Sequence, residues 1–357
     1  MAETIQKPKD ETTWTGWIRQ NLFCNLRDSV LTIGCIFLLI KAIPPLTQWM
    51  ILDANFLGDS REDCTGEGAC WVFVLVRIKQ FMFGLYPEGE LWRAYSLVGL
   101  LAAWSLITWL LKKHRLILAT AFILLSPPIT YLFLHGKALG LPTVDTTQWG
   151  GLMLTLIISG VGITASLPLG IILALARRSK LPIIKYLSVT FIELWRGVPL
   201  ITVLFMASVM LPLFLPDGMT VDKLLRCLVG VTLFSSAYMA EVIRGGLQSM
   251  PKGQYEAGEA LGLGYTKLMA LVIMPQALKK VIPGIVNTFI GLFKDTTLVL
   301  IVGLFDLLGI VQAATTDSEW LGYSTEGYVF CGIIYWVFCF GMSKYSQKME
   351  KAGSTKH

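Results

Sequence analysis

Apolar runs long enough to cross a bilayer recur along the chain, and basic residues gather where those runs end. Arg177, Arg178 and Lys180 follow one run, Arg244 follows another, and Lys112, Lys113, His114 and Arg115 separate two more. A hydrocarbon layer of about 30 Å takes about 20 apolar residues as a helix, and an excess of Lys and Arg marks the cytoplasmic ends. The pattern predicts an all-α, polytopic membrane protein with about eight transmembrane helices. Only 15% of the residues are charged, where soluble domains average about 25%. The formal net charge of +6 sits at span ends, so it is a topological signal and not a nucleic-acid surface.

Taken in order, residues 1–27 read as a cytoplasmic tail carrying Lys7, Lys9, Arg19 and Arg27, with Trp14 and Trp17 suited to the interface. They hold no short apolar core, so no cleavable signal peptide is expected. Residues 28–148 are expected to hold three spans, over 29–52, 94–111 and 116–134. Pro44-Pro45 and Pro127-Pro128 should kink the first and third. The acidic excess of residues 53–93 places that loop outside. Within it, 71–86 carries Arg77 and Lys79, is too short and too charged for a span, and reads as an interfacial helix.

Residues 149–345 hold the remaining spans, over 150–176, 183–215, 224–243, 279–293 and 328–341. The second of these is too long for one straight crossing, and Gly197 and Pro199 divide it. Residues 296–310, bounded by Asp295 and Asp306, read as a helix lining an outer vestibule. Lys344, Lys348, Lys351 and Lys356 make residues 346–357 a second cytoplasmic tail.

Little in the chain points to catalysis. There is no G-x-x-x-x-G-K-[ST], H-E-x-x-H or G-x-S-x-G, and His114, His135 and His357 are too scattered for a metal site. Cys24, Cys35, Cys227, Cys331 and Cys339 lie in or beside spans and read as packing. Cys64 and Cys70 share the polar loop. A disulfide is expected there if the loop faces an oxidising compartment; two free thiols or an adventitious metal are the alternatives.

One stretch between two spans is polar and rich in glycine. Y-E-A-G-E-A-L-G-L-G-Y-T-K, from Tyr255 to Lys267, starts as a helix former and breaks at Leu261 to Gly264, since glycine costs about 1 kcal/mol in a helix interior. Apolar chain resumes at Leu268, and Pro275 is expected to stop it. The stretch resembles the EAA loop of ABC-importer permeases. Glu256, Ala257, Gly262 and Pro275 match that pattern, Gly258 stands for its third alanine, and Val272 and Met274 stand for its isoleucine and leucine. The flanks Glu193 to Leu200 (E-L-W-R-G-V-P-L), Ala237 to Gln254, and Pro283 to Leu298 are similar to the polar amino-acid branch of that family over residues 150–344. The N-terminal part, with C-T-G-E-G-A-C-W, resembles the general L-amino-acid permeases of the AapM/BztC type.

The resemblance implies a five-helix type I importer core with three extra N-terminal helices. It implies a multi-pass permease of the bacterial inner membrane that takes up L-amino acids by alternating access. No cofactor is expected on this chain; ATP and Mg would sit on two partner ATPase subunits. A homologous permease, as a heterodimer, and a periplasmic amino-acid-binding protein complete the expected partners. Loop 250–275 would be the coupling helix that docks on an ATPase subunit, with Glu256 as polar anchor, Ala257 and Gly262 allowing close approach, and Gly258 part of the same coupling set. Arg244 and Lys252 would pair with acids on that subunit, or only mark the cytoplasmic side. An ion-coupled secondary transporter is the alternative; it predicts inverted repeats, and no matching halves are visible.

Ionisable residues at membrane depth are expensive and invite a functional reading. A zwitterion needs an anion for its ammonium and donors for its carboxylate, and Asp295 with Asn287, Thr296 and Thr297 offers both, or this turn only caps the span over 279–293. Glu193 and Arg196, three residues apart on one helical face, are further candidates for the path, or a structural pair at the break. Glu241 and Arg244 have the same spacing and read as support for the coupling loop.

Overall fold

The computed structural model describes residues 13–216 and 221–354. Lys7, Lys9, Lys356 and His357, read as tail residues above, lie outside them. The described residues are helical, with isolated bridges in place of strands. Among the described residues seven helices are long and apolar enough to cross a membrane, and a bent pair makes up to eight.

The chain divides at Val76. The N-terminal unit has a short helix, α1 (Trp14–Leu22), and a long one, α2 (Leu26–Thr47), which runs through Pro44 and Pro45 and ends in a π-helical turn at Gln48–Leu52. Its polar loop is tied to the end of that turn. Ala69 N–H donates to Trp49 O, Asn55 N–H to Ala69 O and the Trp71 indole to Met50 O. Helix α3 (Trp71–Val76) closes the unit.

The second unit begins with α4 (Ile78–Phe83), α5 (Leu91–Leu110) and α6 (Arg115–His135). Segment 71–86 is therefore no single interfacial helix. It breaks at Arg77, and its apolar side chains Val72, Phe73, Val74 and Phe81 are buried. The charges that argued against burial find partners: Arg77 pairs with Asp317, and Lys79 lies 3.9 Å from Glu88. Helix α6 continues through Pro127 and Pro128.

The core bundle follows: α7 (Gly151–Arg177), α8 (Pro182–Gly197), α9 (Leu200–Phe205) with π and 3-10 turns to Phe214, and α10 (Lys223–Gln248). The α8 axis turns through 102° into the segment Leu200–Phe214. The cause is local. Proline disfavours helical backbone in the residue before it, Val198 is extended (φ −111°, ψ 135°), and Pro199 then caps α9. After α10 come α11 (Lys252–Ala260), α12 (Tyr265–Lys267), a π-helical stretch Leu268–Ile273, α13 (Met274–Lys280) and α14 (Ile282–Asp295). Pro275 does not stop the helix as expected. It sits in the first turn after the π stretch, where its missing N–H costs little, and the break comes at Val281. Residues 296–310 form a 3-10 turn (Thr296–Val302), a corner with Gly303 at φ +72°, and the start of α15 (Leu307–Thr315), in place of one helix. Helix α16 (Ser324–Ser354) is longer than the span expected at 328–341 because polar residues extend it at both ends.

The most extensive pairing is α7 with α10, and small residues permit it. A Cβ on Gly170 would lie 2.6 Å from Met239 Cγ, and one on Gly162 would lie 3.3 Å from Val231 Cγ1, both on α10. Two apolar clusters result. One surrounds Leu154, Ile158, Leu204, Val231 and Val299; the other, at the basic end of the bundle, surrounds Ala174, Ile192, Ile243, Leu268 and Ala277. At the opposite end the backbones of Gly84 and Gly150 touch: Gly84 has φ +70°, and a Cβ there would lie 2.3 Å from Gly150 Cα.

Gly84→Ala is expected to lower stability by about 1–3 kcal/mol, because strained φ and a backbone wall both oppose the methyl. Gly89→Ala, where a Cβ meets nothing within 4 Å, should stay within about 0.5 kcal/mol. Thermal unfolding in detergent separates the two.

Candidate functional site

At the basic end of the bundle α11 stands between α10 and the π stretch, anchored by one face. Tyr255 donates through its hydroxyl to Leu247 O (3.3 Å) and accepts from Arg178 Nη1 (3.1 Å), whose guanidinium lies 5.7 Å from the ring centroid. Gln276 donates to Gln254 Oε1 (3.1 Å), and Lys280 donates to Ser249 O (3.0 Å). Gly258 faces inward, where a Cβ would lie 2.2 Å from Leu268 Cδ1. The helix ends in a Schellman arrangement: Leu263 N–H donates to Gly258 O and Gly262 N–H to Glu259 O, with Gly262 at φ +73°.

The other face is free of the bundle. Lys252, Glu256, Ala257 and Glu259 are exposed, and Leu261 and Tyr265, 80% and 63% exposed, stand at its end. Helical spacing puts Lys252, Glu256 and Glu259 on one stripe. Two expectations change here. Gly258 opens space for Leu268 of its own chain and not for a partner. Arg244 is also spent internally, because its Nε and Nη2 both donate to Glu241 Oε2, at 3.0 and 2.6 Å.

Arg244 belongs to a cluster that joins the two ion pairs read from the sequence. Arg177 Nη1 donates to Glu241 Oε1 (2.7 Å) and Glu193 Oε1 (3.1 Å), while Arg196 lies 3.8 Å from each glutamate and stacks over Tyr238. Three arginines thus share two carboxylates across α7, α8 and α10. Glu241 is the centre, with 16% side-chain exposure; Glu193 is the rim, with 55%. Sequence reasoning missed Arg177, because a cation at a span end is already explained by topology. Two acids on the neighbouring spans were the available signal.

The other path candidates stand apart. No ion pair or hydrogen bond joins Glu193 or Arg196 to Asn287, Asp295, Thr296 or Thr297 among the described residues. Asn287 is exposed and Asp295 partly buried on α14. Thr297 donates to Lys294 O (2.9 Å). Thr296 is 1% exposed, donates to Phe293 O (2.8 Å) and lies 3.5 Å from the Tyr335 hydroxyl, so it is a packed turn residue and not an available donor. Tyr335 in turn donates to Asp306 Oδ2 (2.9 Å), whose other oxygen accepts from Gly309 N–H (2.9 Å).

In the N-terminal unit Cys64 and Cys70 are joined as a disulfide with Cα atoms 5.6 Å apart. Asp63 beside them accepts from the backbone and hydroxyl of Ser60 and from Asp59 N–H, and these donors hold its carboxyl below the usual range.

Residues 166–343 match the family described as "Binding-protein-dependent transport system inner membrane component". Over 346 residues the chain is 58% identical to the "Inner membrane amino-acid ABC transporter permease protein YhdY" of Escherichia coli (strain K12), covering 96% of this chain and 94% of that one. It is 40% identical over 407 residues to the "Glutamate/glutamine/aspartate/asparagine transport system permease protein BztC" of Rhodobacter capsulatus, with the same coverage of 96% and 94%. The solved structure of "an amino acid ABC transporter with histidines" is similar at 30% identity and a TM-score of 0.51, over 57% of this chain and 92% of that one.

The cluster makes an ordered prediction. Glu241→Gln removes the shared, largely buried counter-charge of Arg177 and Arg244 and should cost about 1–3 kcal/mol. Glu193→Gln, at the solvated rim, should cost less than about 1 kcal/mol. Thermal unfolding in detergent reads both, and equal losses would contradict the assignment of centre and rim.

Proposed function

The chain belongs to the amino-acid ABC-transporter permeases, and from that premise we propose that it carries L-amino acids across the inner membrane by alternating access, with α11 as its coupling helix. It is a multi-pass inner-membrane permease subunit; hydrolysis belongs to a separate ATPase subunit, and a substrate-binding protein delivers the cargo. The observation that supports the coupling role is the split of α11 into an anchored face and a free one. Tyr255 and Gly258 hold the helix to the bundle while Lys252, Glu256, Ala257 and Glu259 stay exposed. A helix pinned on one side only transmits a push delivered to the other. Gly262 ends it sharply because glycine carries the left-handed turn without strain.

In this reading Glu256 and Lys252 make the polar contacts with the ATPase subunit, and ATP and Mg bind there and not on this chain. The permease pairs with a homologous subunit as a heterodimer. Residues 28–148 form three added helices and 149–345 the importer core. Asn287 and Asp295 on α14, with Thr297 in the 3-10 turn that follows, border the substrate path. Polar amino acids are the proposed cargo, since a relative of 40% identity is named for glutamate, glutamine, aspartate and asparagine transport. The cross-linked loop around Cys64 and Cys70 lies outside.

Glu256→Arg tests this. The chain is expressed with its neighbouring transport subunits, and uptake of radiolabelled L-glutamate and L-glutamine is measured with ATP hydrolysis. Wild type should couple the two. The variant should lose the ATPase subunit or the coupling, at a cost of about 2 kcal/mol or more, as expected of a central interface charge. Uptake by this chain alone, driven by an ion gradient and untouched by the variant, would overturn the reading in favour of a secondary transporter.

A further inference from the structure

We infer that the adjacent arginines at the end of α7, Arg177 and Arg178, form a two-armed positioning element that links the coupling helix to the bent span, so that a displacement of α11 is delivered to the break at Gly197 and Pro199. The inference rests on the permease reading and deepens it.

The arms leave α7 in different directions, because consecutive residues on a helix point about 100° apart. Arg178 reaches α11: it donates to the Tyr255 hydroxyl at 3.1 Å, covers the ring at 5.7 Å, and reaches Leu247 O at 3.4 Å. Arg177 reaches the other way, to Glu193 on α8 at 3.1 Å and Glu241 on α10 at 2.7 Å. Glu193 stands four residues before Gly197, where the helix ends and the 102° bend begins. The two arms share the last turn of α7, a helix held along its length against α10. Motion at Tyr255 therefore has a short, charged route to the bend.

The cluster also has a second arrangement available. Three arginines facing two glutamates leave one cation in excess, and Arg196 is the loosely held one, 3.8 Å from both acids. Glu193 is 55% exposed and so free to swing. It can exchange Arg177 for Arg196, one turn further along its own helix, with little change in total pairing. Such an exchange removes the ionic tie between α8 and α7 while Glu241 keeps α7 tied to α10. Coupling requires an element with two discrete arrangements that both ends can bias, and this pairing is one.

The test uses the assembled transporter in vesicles, with ATP and a radiolabelled mixture of the proteinogenic L-amino acids as probe. The readout is amino acid moved per ATP hydrolysed. Arg177→Gln and Arg178→Gln should each lower that ratio about tenfold, within the usual range of coupling free energies, while the ATPase stays bound and active. Arg178→Lys, which keeps a cation over Tyr255, should recover part of the loss. Because the arms act in series, the double variant should be no worse than the worse single one. Should Arg177→Gln fail to assemble, Glu193→Gln serves in its place, since it leaves the Arg177–Glu241 pair intact, and the same fall in ratio is expected. Unchanged ratios, uptake and hydrolysis falling in parallel, or losses that multiply in the double variant would overturn the inference. Wild-type vesicles that transport without ATP would instead overturn the permease reading itself.

Discussion

The close approach of α7 and α10 carries the rest of the core. In lipid no hydrophobic force drives helices together, so association depends on contact and small residues matter most. Gly162 and Gly170 supply that access, with Val231 and Met239 of α10 standing where a side chain would need space. At the basic end the pairing brings Arg177 to Glu241. At the other end α7 alone meets the corner before α15: Gly151 N–H donates to Phe305 O, and the Thr155 hydroxyl accepts from Leu307 N–H. A wider spacing of α7 and α10 would pull Arg177 away from Glu241.

The inner and outer ends solve buried polarity differently. Inside, charges meet charges, and the three arginines over two glutamates stay partly solvated. At the other end Asp306 is fully buried, and among the described residues no cation pairs with it. Its oxygens are met by the Gly309 N–H and the Tyr335 hydroxyl instead. A carboxyl held by fixed neutral donors and helical N–H groups suits a rigid corner. A carboxylate with several cationic partners suits a joint.

Much of the fold was legible because membrane spans are written in length and charge. The seven long helices and the divided span at Gly197 and Pro199 follow from those signals. The turn at Gly262 was legible for the same reason that glycine punctuates helices. What escaped was set by distant partners. Gly258 looked like a place for a neighbouring protein because Leu268, which fills the space, lies beyond the turn. Thr296 looked like a ligand donor because its carbonyl acceptor is local but its burial comes from α16. Arg177 looked like a topology marker because the acids it bridges sit on two other helices. Pro275 looked like a stop because periodicity does not reveal that a π-helical stretch precedes it.

The bend after α8 has one more consequence. A helix that stops leaves its last four carbonyls without helical partners, and Pro199 offers no N–H to the next turn. Gly197 and Pro199 are exposed on the isolated chain. Hydrocarbon can neither donate to such carbonyls nor hydrate them, and broken backbone at that depth persists only against protein or water. Where the bend lies within the hydrocarbon, the side that carries it is not a lipid-facing side. A single copy of this chain adrift in a bilayer would be an unfinished surface, and the place where it is unfinished is the place where the span turns.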